Sequence, residues 1–235
     1  MNTENTEKNI SIYYIDGYHG GIRGHMPLGS WRDILSQMKA NPDWSVSIEV
    51  EPISWDYLLQ SDPASYYELR ELLKDQSAAS RVEMVSGSYG QPYGWITDGE
   101  SNIQHLTMGL AVLKEHFPFL KIETYAVQEP CWTSALPQIL RSLGFKRAVL
   151  KNPSTAWGGY SRGFPAAICL WEGPDGTTMP LVPRYDCEEL VNVWETESVN
   201  ATPEFAEKCR EHGITPPAGM CYQDLGWQAN PRLCE

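Results

Sequence analysis

The chain has 235 residues, with 18 Lys and Arg against 30 Asp and Glu and a formal net charge of −12. That acidity excludes nucleic-acid backbones as partners, because no surplus of cations exists to displace their counterions. No run approaches the roughly 18 consecutive apolar residues of a membrane span, while 42% hydrophobic residues at this length exclude disorder for the bulk of the chain and suffice for a sizeable core.

Ile10–Asp16 (ISIYYID), rich in β-branched and aromatic residues, predicts a buried strand. Ser30 stands where it can cap a helix running to about Lys39, which Asn41-Pro42 ends. Val46–Glu51 alternates apolar and polar residues as a second strand would, and helical stretches follow over Ser54–Gln60 and Pro63–Lys74. Arg81–Ser86 predicts the third strand. Asp98–His116 predicts a long helix with Ile103, Leu106, Leu110 and Leu113 on one face. Lys121–Val127 predicts a fourth strand, Ser134–Leu143 a helix stopped by Gly144, and Lys146–Leu150 a fifth strand. Strands alternating with helices predict an α/β fold whose parallel sheet has right-handed crossovers. Beyond Trp157 glycine and proline are frequent. Pro174-Asp175-Gly176 there predicts the turn of a small inserted β-hairpin, Ala167–Trp171 with Thr177–Val182. Pro203–His212 predicts a further helix and Gly219–Tyr222 a late strand. The chain stops at Cys234-Glu235 without an evident closing element, so one catalytic domain over residues 1–235 is expected, with further C-terminal domains missing.

The six cysteines form no C-x-x-C pair, and the polar start lacks the apolar core of a secretory signal. Free thiols in a cytoplasmic protein are expected, which makes the Asn200-Ala-Thr sequon a chance match.

Chemistry-bearing residues follow the strands. Strand one runs into Asp16-Gly-Tyr-His19-Gly-Gly, strand two into Glu49-Val-Glu51-Pro, and strand three into Gly87-Ser-Tyr89-Gly-Gln91-Pro-Tyr93-Gly-Trp95. Strand four runs into Gln128-Glu129-Pro-Cys-Trp132, and the late strand into Tyr222-Gln-Asp224-Leu-Gly-Trp227. In a (β/α) barrel the carboxyl ends of the strands converge on one face, which carries the active site. Asp16 and His19, three apart in a Gly-rich turn, offer oxygen and nitrogen to Zn²⁺ or a similar divalent cation; alternatively they satisfy the turn itself. His25 is a weaker ligand candidate, while His105, His116 and His212 read as surface or core-edge residues. Glu129, walled by Trp132, can attack an anomeric carbon or instead hold an ion pair at the rim. Asp224 is the best second carboxylate; Asp186 is its rival as proton donor, and reads as a positioning or structural residue of the carbohydrate site. The nine Trp and 12 Tyr suit sugar ligands, although aromatics also build cores. Trp95, Trp132 and Trp227 can stack on sugar rings, and Glu51, Tyr89 and Gln91 can bond hydroxyls. The loops at Lys151-Asn-Pro-Ser and Trp157-Gly-Gly-Tyr160 read as further substrate contacts.

From Ile10 to Pro231 this pattern resembles the N-terminal catalytic domain of the glycoside hydrolase family 38 α-mannosidases. More broadly it is similar to the distorted, TIM-like (β/α)7 barrel shared with family 57. The segment from Glu129-Pro to Gly144-Phe145 resembles the family's nucleophile segment. Arg81–Tyr89 with Asp98-Gly-Glu100-Ser resembles its third-strand segment, and Trp171-Glu-Gly-Pro-Asp-Gly-Thr its Trp-x-Gly-x-Asp-Gly-Ser hairpin. Asp224 stands where the family carries its acid/base aspartate. The resemblance implies a retaining, metal-holding glycosidase that acts on an α-linked sugar, with Glu129 as nucleophile, Asp224 as acid/base and Asp16 with His19 on the metal. This chain departs from the pattern in three places. The family's His-x-Asp falls on Tyr14-Ile-Asp16, so His19 would have to supply the missing histidine. Its nucleophile aspartate is a glutamate here, and its late histidine falls beyond residue 235. Two other readings stay open: a metal-dependent carbohydrate deacetylase or amidohydrolase on the same barrel, and a non-catalytic carbohydrate-binding barrel.

Overall fold

The computed structural model describes residues 13–17, 28–42, 46–77, 80–91, 94, 96–127, 132–150, 163–188 and 202–222, with the backbone path alone for 13–17, 46, 202–203 and 219–222. In chain order the elements are β1 (Tyr13–Gly17), α1 (Ser30–Ala40), β2 (Val46–Glu49), α2 (Trp55–Ser61), α3 (Pro63–Leu72), β3 (Val82–Val85) and α4 (Gly99–His116). They continue with β4 (Thr124–Ala126), α5 (Leu136–Ser142), β5 (Arg147–Leu150), β6 (Cys169–Glu172), β7 (Thr178–Pro183), α6 (Thr202–Glu211) and β8 (Ala218–Tyr222). Among the described residues no helix is long and apolar enough to cross a membrane.

The ladders form two four-stranded sheets, β3-β2-β1-β8 and β4-β5-β7-β6, parallel throughout except for the antiparallel β6–β7 hairpin. The sheets meet where Ser86 N–H donates to the Thr124 carbonyl at 3.0 Å. Ser86 takes a left-handed backbone there, φ 72°, which bends the chain out of the β3 ladder. The described ladders therefore do not close into one ring, and α/β with two abutting sheets is the architecture they establish. The hairpin is less of an insertion than its turn chemistry implies. Its second strand lies parallel to β5 and extends the main sheet, because Met179 and Leu181 are needed in the core beneath α5.

Local chemistry sets the helix ends. Asp62 accepts from Ser65 N–H and caps α3, with Pro63 at the first helical position. Asp98 caps α4 through Ser101 N–H at 2.7 Å. Ser30 does not cap α1 as the sequence predicts: Gly29 holds the cap position at φ 100° and Ser30 is the first, buried helical residue. The stripe predicted for α4 also shifts. Ile103 is 39% exposed, and the buried face runs through Asn102, Leu106, Gly109, Leu113 and His116. Gly109 is the reason: a Cβ there would lie 2.0 Å from the Gly87 carbonyl and 2.6 Å from Tyr89 N, so only glycine lets helix and loop touch backbone to backbone.

Four apolar clusters result. The first sheet packs on α1–α3 around Trp31 and Trp55, with Trp55 edge-on to Phe117 at 5.1 Å. His116, read from sequence as a surface or core-edge residue, is buried with this core, and its Nδ1 lies 2.9 Å from the Tyr66 hydroxyl. The second sheet packs on α4 and α5 around Tyr125 and Phe145. Val85, Ala126 and Val149, with Val182 against them, join the helix-free faces of both sheets. Below that apolar layer lies a polar one. Glu83 accepts from Thr124 Oγ1 at 2.9 Å, Arg147 Nη2 at 3.3 Å and Ser47 Oγ at 3.4 Å. The fourth cluster joins the exit of β7 to α6 through Tyr185, Cys187, Phe205, Cys209 and Ile214.

Candidate active site

Alternation along β2 puts Ile48 and Val50 in the helix-facing core and Ser47 and Glu49 on the opposite face. The strand therefore delivers carboxylates at its carboxyl end: Glu49 is 1% exposed and Glu51 3%. The chain then turns through Pro52–Ser54, with Ser54 Oγ donating to the Glu51 carbonyl at 2.8 Å. Ile53 N–H donates to the Tyr89 carbonyl at 3.1 Å, and Tyr89 N–H donates to the His105 carbonyl at 3.1 Å. These two bonds bring the ends of β2 and β3 together under α4.

His105 is half-buried there, its ring 6.4 Å from that of Tyr89. Its Nδ1 is enclosed and has no hydrogen-bond partner among the described residues. Burial lowers the pKa of the imidazole, against the opposing pull of the Glu51 charge. A neutral ring beside a buried carboxylate can donate from one nitrogen and accept at the other. Ser88 adds a buried hydroxyl. Asn102 on α4 donates from Nδ2 to the Gly94 carbonyl at 2.8 Å and the Asp98 carbonyl at 2.9 Å, holding the segment beyond Gln91.

Of the residues singled out from sequence, Glu51 and Tyr89 meet at this rim, and Gln91 lies on the same loop after β3. Trp132 is half-buried against the second core. It lines a cavity of about 340 Å³ with Leu150, Phe164, Trp171 and Pro183, at the carboxyl ends of β5 and β7. Asp186 is exposed, and its Oδ1 lies 3.4 Å from His212 Nδ1. Asp16 is the penultimate residue of β1, beside Ile48 and Cys221, and Gly17, which ends the strand, is level with Glu49. The side chain of Asp16, and His19, Trp95, Glu129, Asp224 and Trp227 as a whole, lie outside the described residues. Sequence reasoning missed Glu49 and His105. The signal for Glu49 was the polar half of the β2 alternation, with a carboxylate on the face away from the helices. No comparable signal marked His105, which enters through the turn imposed on α4 by Gly109.

Residues 28–222 match the family described as glycosyl hydrolases family 38, N-terminal domain. Alpha-mannosidase G of Dictyostelium discoideum is 24% identical over 115 residues, 49% of this chain and 10% of that protein. An alpha-mannosidase from Enterococcus faecalis has a similar structure, with TM-score 0.61 at 14% identity over 93% of this chain and 25% of its own. A 4-alpha-glucanotransferase from Thermococcus litoralis gives TM-score 0.61 at 16% identity over 90% of this chain and 32% of its own. The chain thus spans between a tenth and a third of these relatives. The two structural likenesses establish the fold alone, whereas the family match covers most of the chain. This chain belongs to glycosyl hydrolases family 38, by its N-terminal domain.

Proposed function

We propose that the chain is a glycoside hydrolase of α-mannosidase type that cleaves an α-linked sugar with retention, on a (β/α)7 barrel. Family membership supports the reaction class. The observation that carries the placement is the pair of buried carboxylates at the carboxyl end of β2, Glu49 and Glu51, with the half-buried His105 of α4 near Glu51. Buried acids and a neutral imidazole suit a ligand made of hydroxyl groups.

In this reading Glu129 attacks the anomeric carbon while Asp224 gives its proton to the leaving oxygen. Asp224 then takes a proton from water, which displaces Glu129 from the glycosyl-enzyme. Retention calls for carboxyl groups roughly 5 to 5.5 Å apart. Glu51, Tyr89, Gln91, Trp95, Trp132 and Trp227 contact the sugar, and Asp186, paired with His212, takes the structural one of its two readings. A divalent cation such as Zn²⁺ suits the chemistry of an oxygen and a nitrogen donor, and the strand beside β1 carries a buried carboxylate, Glu49, at the level of Gly17. Asp16 and His19 would hold it, and its chemistry would be to polarise substrate hydroxyls. The free thiols of Cys169, Cys187 and Cys209 suit a reducing compartment such as the cytoplasm.

The test is a screen of aryl α- and β-glycosides with and without Zn²⁺, comparing the wild type with Glu129→Gln. Hydrolysis of an α-mannoside, first product of α configuration by NMR, and loss of at least about a thousandfold in kcat on substitution are expected. Activity unchanged in Glu129→Gln removes the nucleophile. Chelator-sensitive deacetylation without glycoside cleavage selects the deacetylase reading, and sugar affinity with no turnover in either protein selects the binding barrel.

A further inference from the structure

Away from the rim of β2 and β3, metal-ligating side chains meet where the turn after β7 faces the end of α6. Asp186, Cys187 and His212 each present one ligand atom, and the three atoms lie within 4.8 Å of one another. His212 Nδ1 is 3.4 Å from Asp186 Oδ1. Cys209, on α6, adds a second sulfur 3.9 Å from Cys187 Sγ. Tetrahedral zinc binds sulfur at about 2.3 Å and nitrogen or oxygen at about 2.0 to 2.1 Å. A tetrahedral edge is about 1.63 times the bond, so two zinc-bound sulfurs stand about 3.8 Å apart and a nitrogen–oxygen pair about 3.4 Å. Both measured separations match these edges, and the sulfurs lie far outside disulfide length, about 2.05 Å.

We infer that Asp186, Cys187 and His212 form a binding site for a zinc-type divalent cation, with the Cys209 thiol beside Cys187. The donors come from two elements, Asp186 and Cys187 after β7 and His212 at the end of α6, so one ion ties the exit of β7 to α6. The packing it reinforces is the small fourth cluster. Within that cluster the Tyr185 hydroxyl accepts from Ala218 N–H at 2.9 Å and so positions the start of β8. An ion held between the exit of β7 and the end of α6 joins two elements of the fold, so its role is structural. The inference does not depend on the chain being a glycosidase.

The test loads the purified chain with Co²⁺ in place of Zn²⁺ and reads bound metal together with the thiolate-to-cobalt charge-transfer band. The wild type and Asp16→Asn are expected to show the band equally, which separates this site from one at β1. Cys187→Ser loses it, and Asp186→Asn and His212→Gln weaken Co²⁺ binding by at least about tenfold. The last two positions are exposed, so those variants keep the fold and decide the matter even if Cys187→Ser does not fold. A chelator lowers the melting temperature of the wild type more than that of His212→Gln, and does so equally in an Asp16→Asn background. The proposal is overturned by a folded wild type without the band, by a band of undiminished affinity in both Asp186→Asn and His212→Gln, or by a Cys187–Cys209 disulfide forming in the presence of Zn²⁺.

Discussion

His105 and Glu51 meet through opposite demands. Burial favours the neutral imidazole while the neighbouring carboxylate favours its charged form, and burial is the larger effect. The folded chain therefore resists a proton that the unfolded chain accepts. The stability from this group is fully present above the ordinary histidine value of 6.5 and drains away as the pH falls below it toward the lowered folded value. His105→Gln is expected to reduce the acid-side loss of stability, read from urea midpoints at about pH 7 and about pH 5. An equal loss in the variant would show that the ring titrates alike in both states. Asp62 is simpler: it caps α3, is buried and also receives Arg32 Nη2 at 3.3 Å. Asp62→Ala should cost about 1 kcal/mol in urea unfolding.

The placing of α4 is decided by an absence of side chain. Gly109 lets the helix approach the loop after β3 closely enough for Tyr89 N–H to reach the His105 carbonyl. In Gly109→Ala the helix gains up to about 1 kcal/mol of intrinsic preference. The new methyl group meets backbone, which cannot swing aside, so helix and loop must part at a cost of about 1 to 3 kcal/mol. Net destabilisation with faster hydrogen exchange at Tyr89 is expected; unchanged protection there would refute the contact. The same geometry explains why the apolar periodicity of α4 predicts the wrong face. Leu106 and Leu113 are buried as their spacing requires, but Ile103 is turned outward because the helix pivots on its glycine.

At the scale of the molecule the two sheets are joined on their helix-free faces by an apolar layer with a polar layer beneath it. Glu83 of β3 accepts from β2, β4 and β5 together, through Ser47, Thr124 and Arg147. Glu83→Ala leaves the buried Thr124 hydroxyl without this acceptor, and a loss of about 1 to 3 kcal/mol in urea unfolding is expected. Trp55→Ala, which empties the centre of the first core, should cost about 3 to 5 kcal/mol. An effect of Glu83→Ala below a few tenths of a kcal/mol would mean that the valine layer alone holds the sheets together.

The order of strands and helices, their parallel connection and the hairpin turn were legible in the sequence, because each depends on near-neighbour spacing and on the torsions of proline, glycine and aspartate. Glu51 and Tyr89 were legible as rim residues, since a parallel strand delivers the residues just past its end to the carboxyl edge of the sheet. Burial and partnership were not. Glu49 reads as the polar half of an alternating strand until Gly17 and Val85 flank it on neighbouring strands. Asp186 reads as a positioning or structural residue with no partner in view, and only the packing of α6 brings His212 to it from 26 positions later. Spacing along a chain controls local torsions. Which distant groups share a hollow is decided by how helices and sheets pack, and that depends on contacts between residues far apart in sequence.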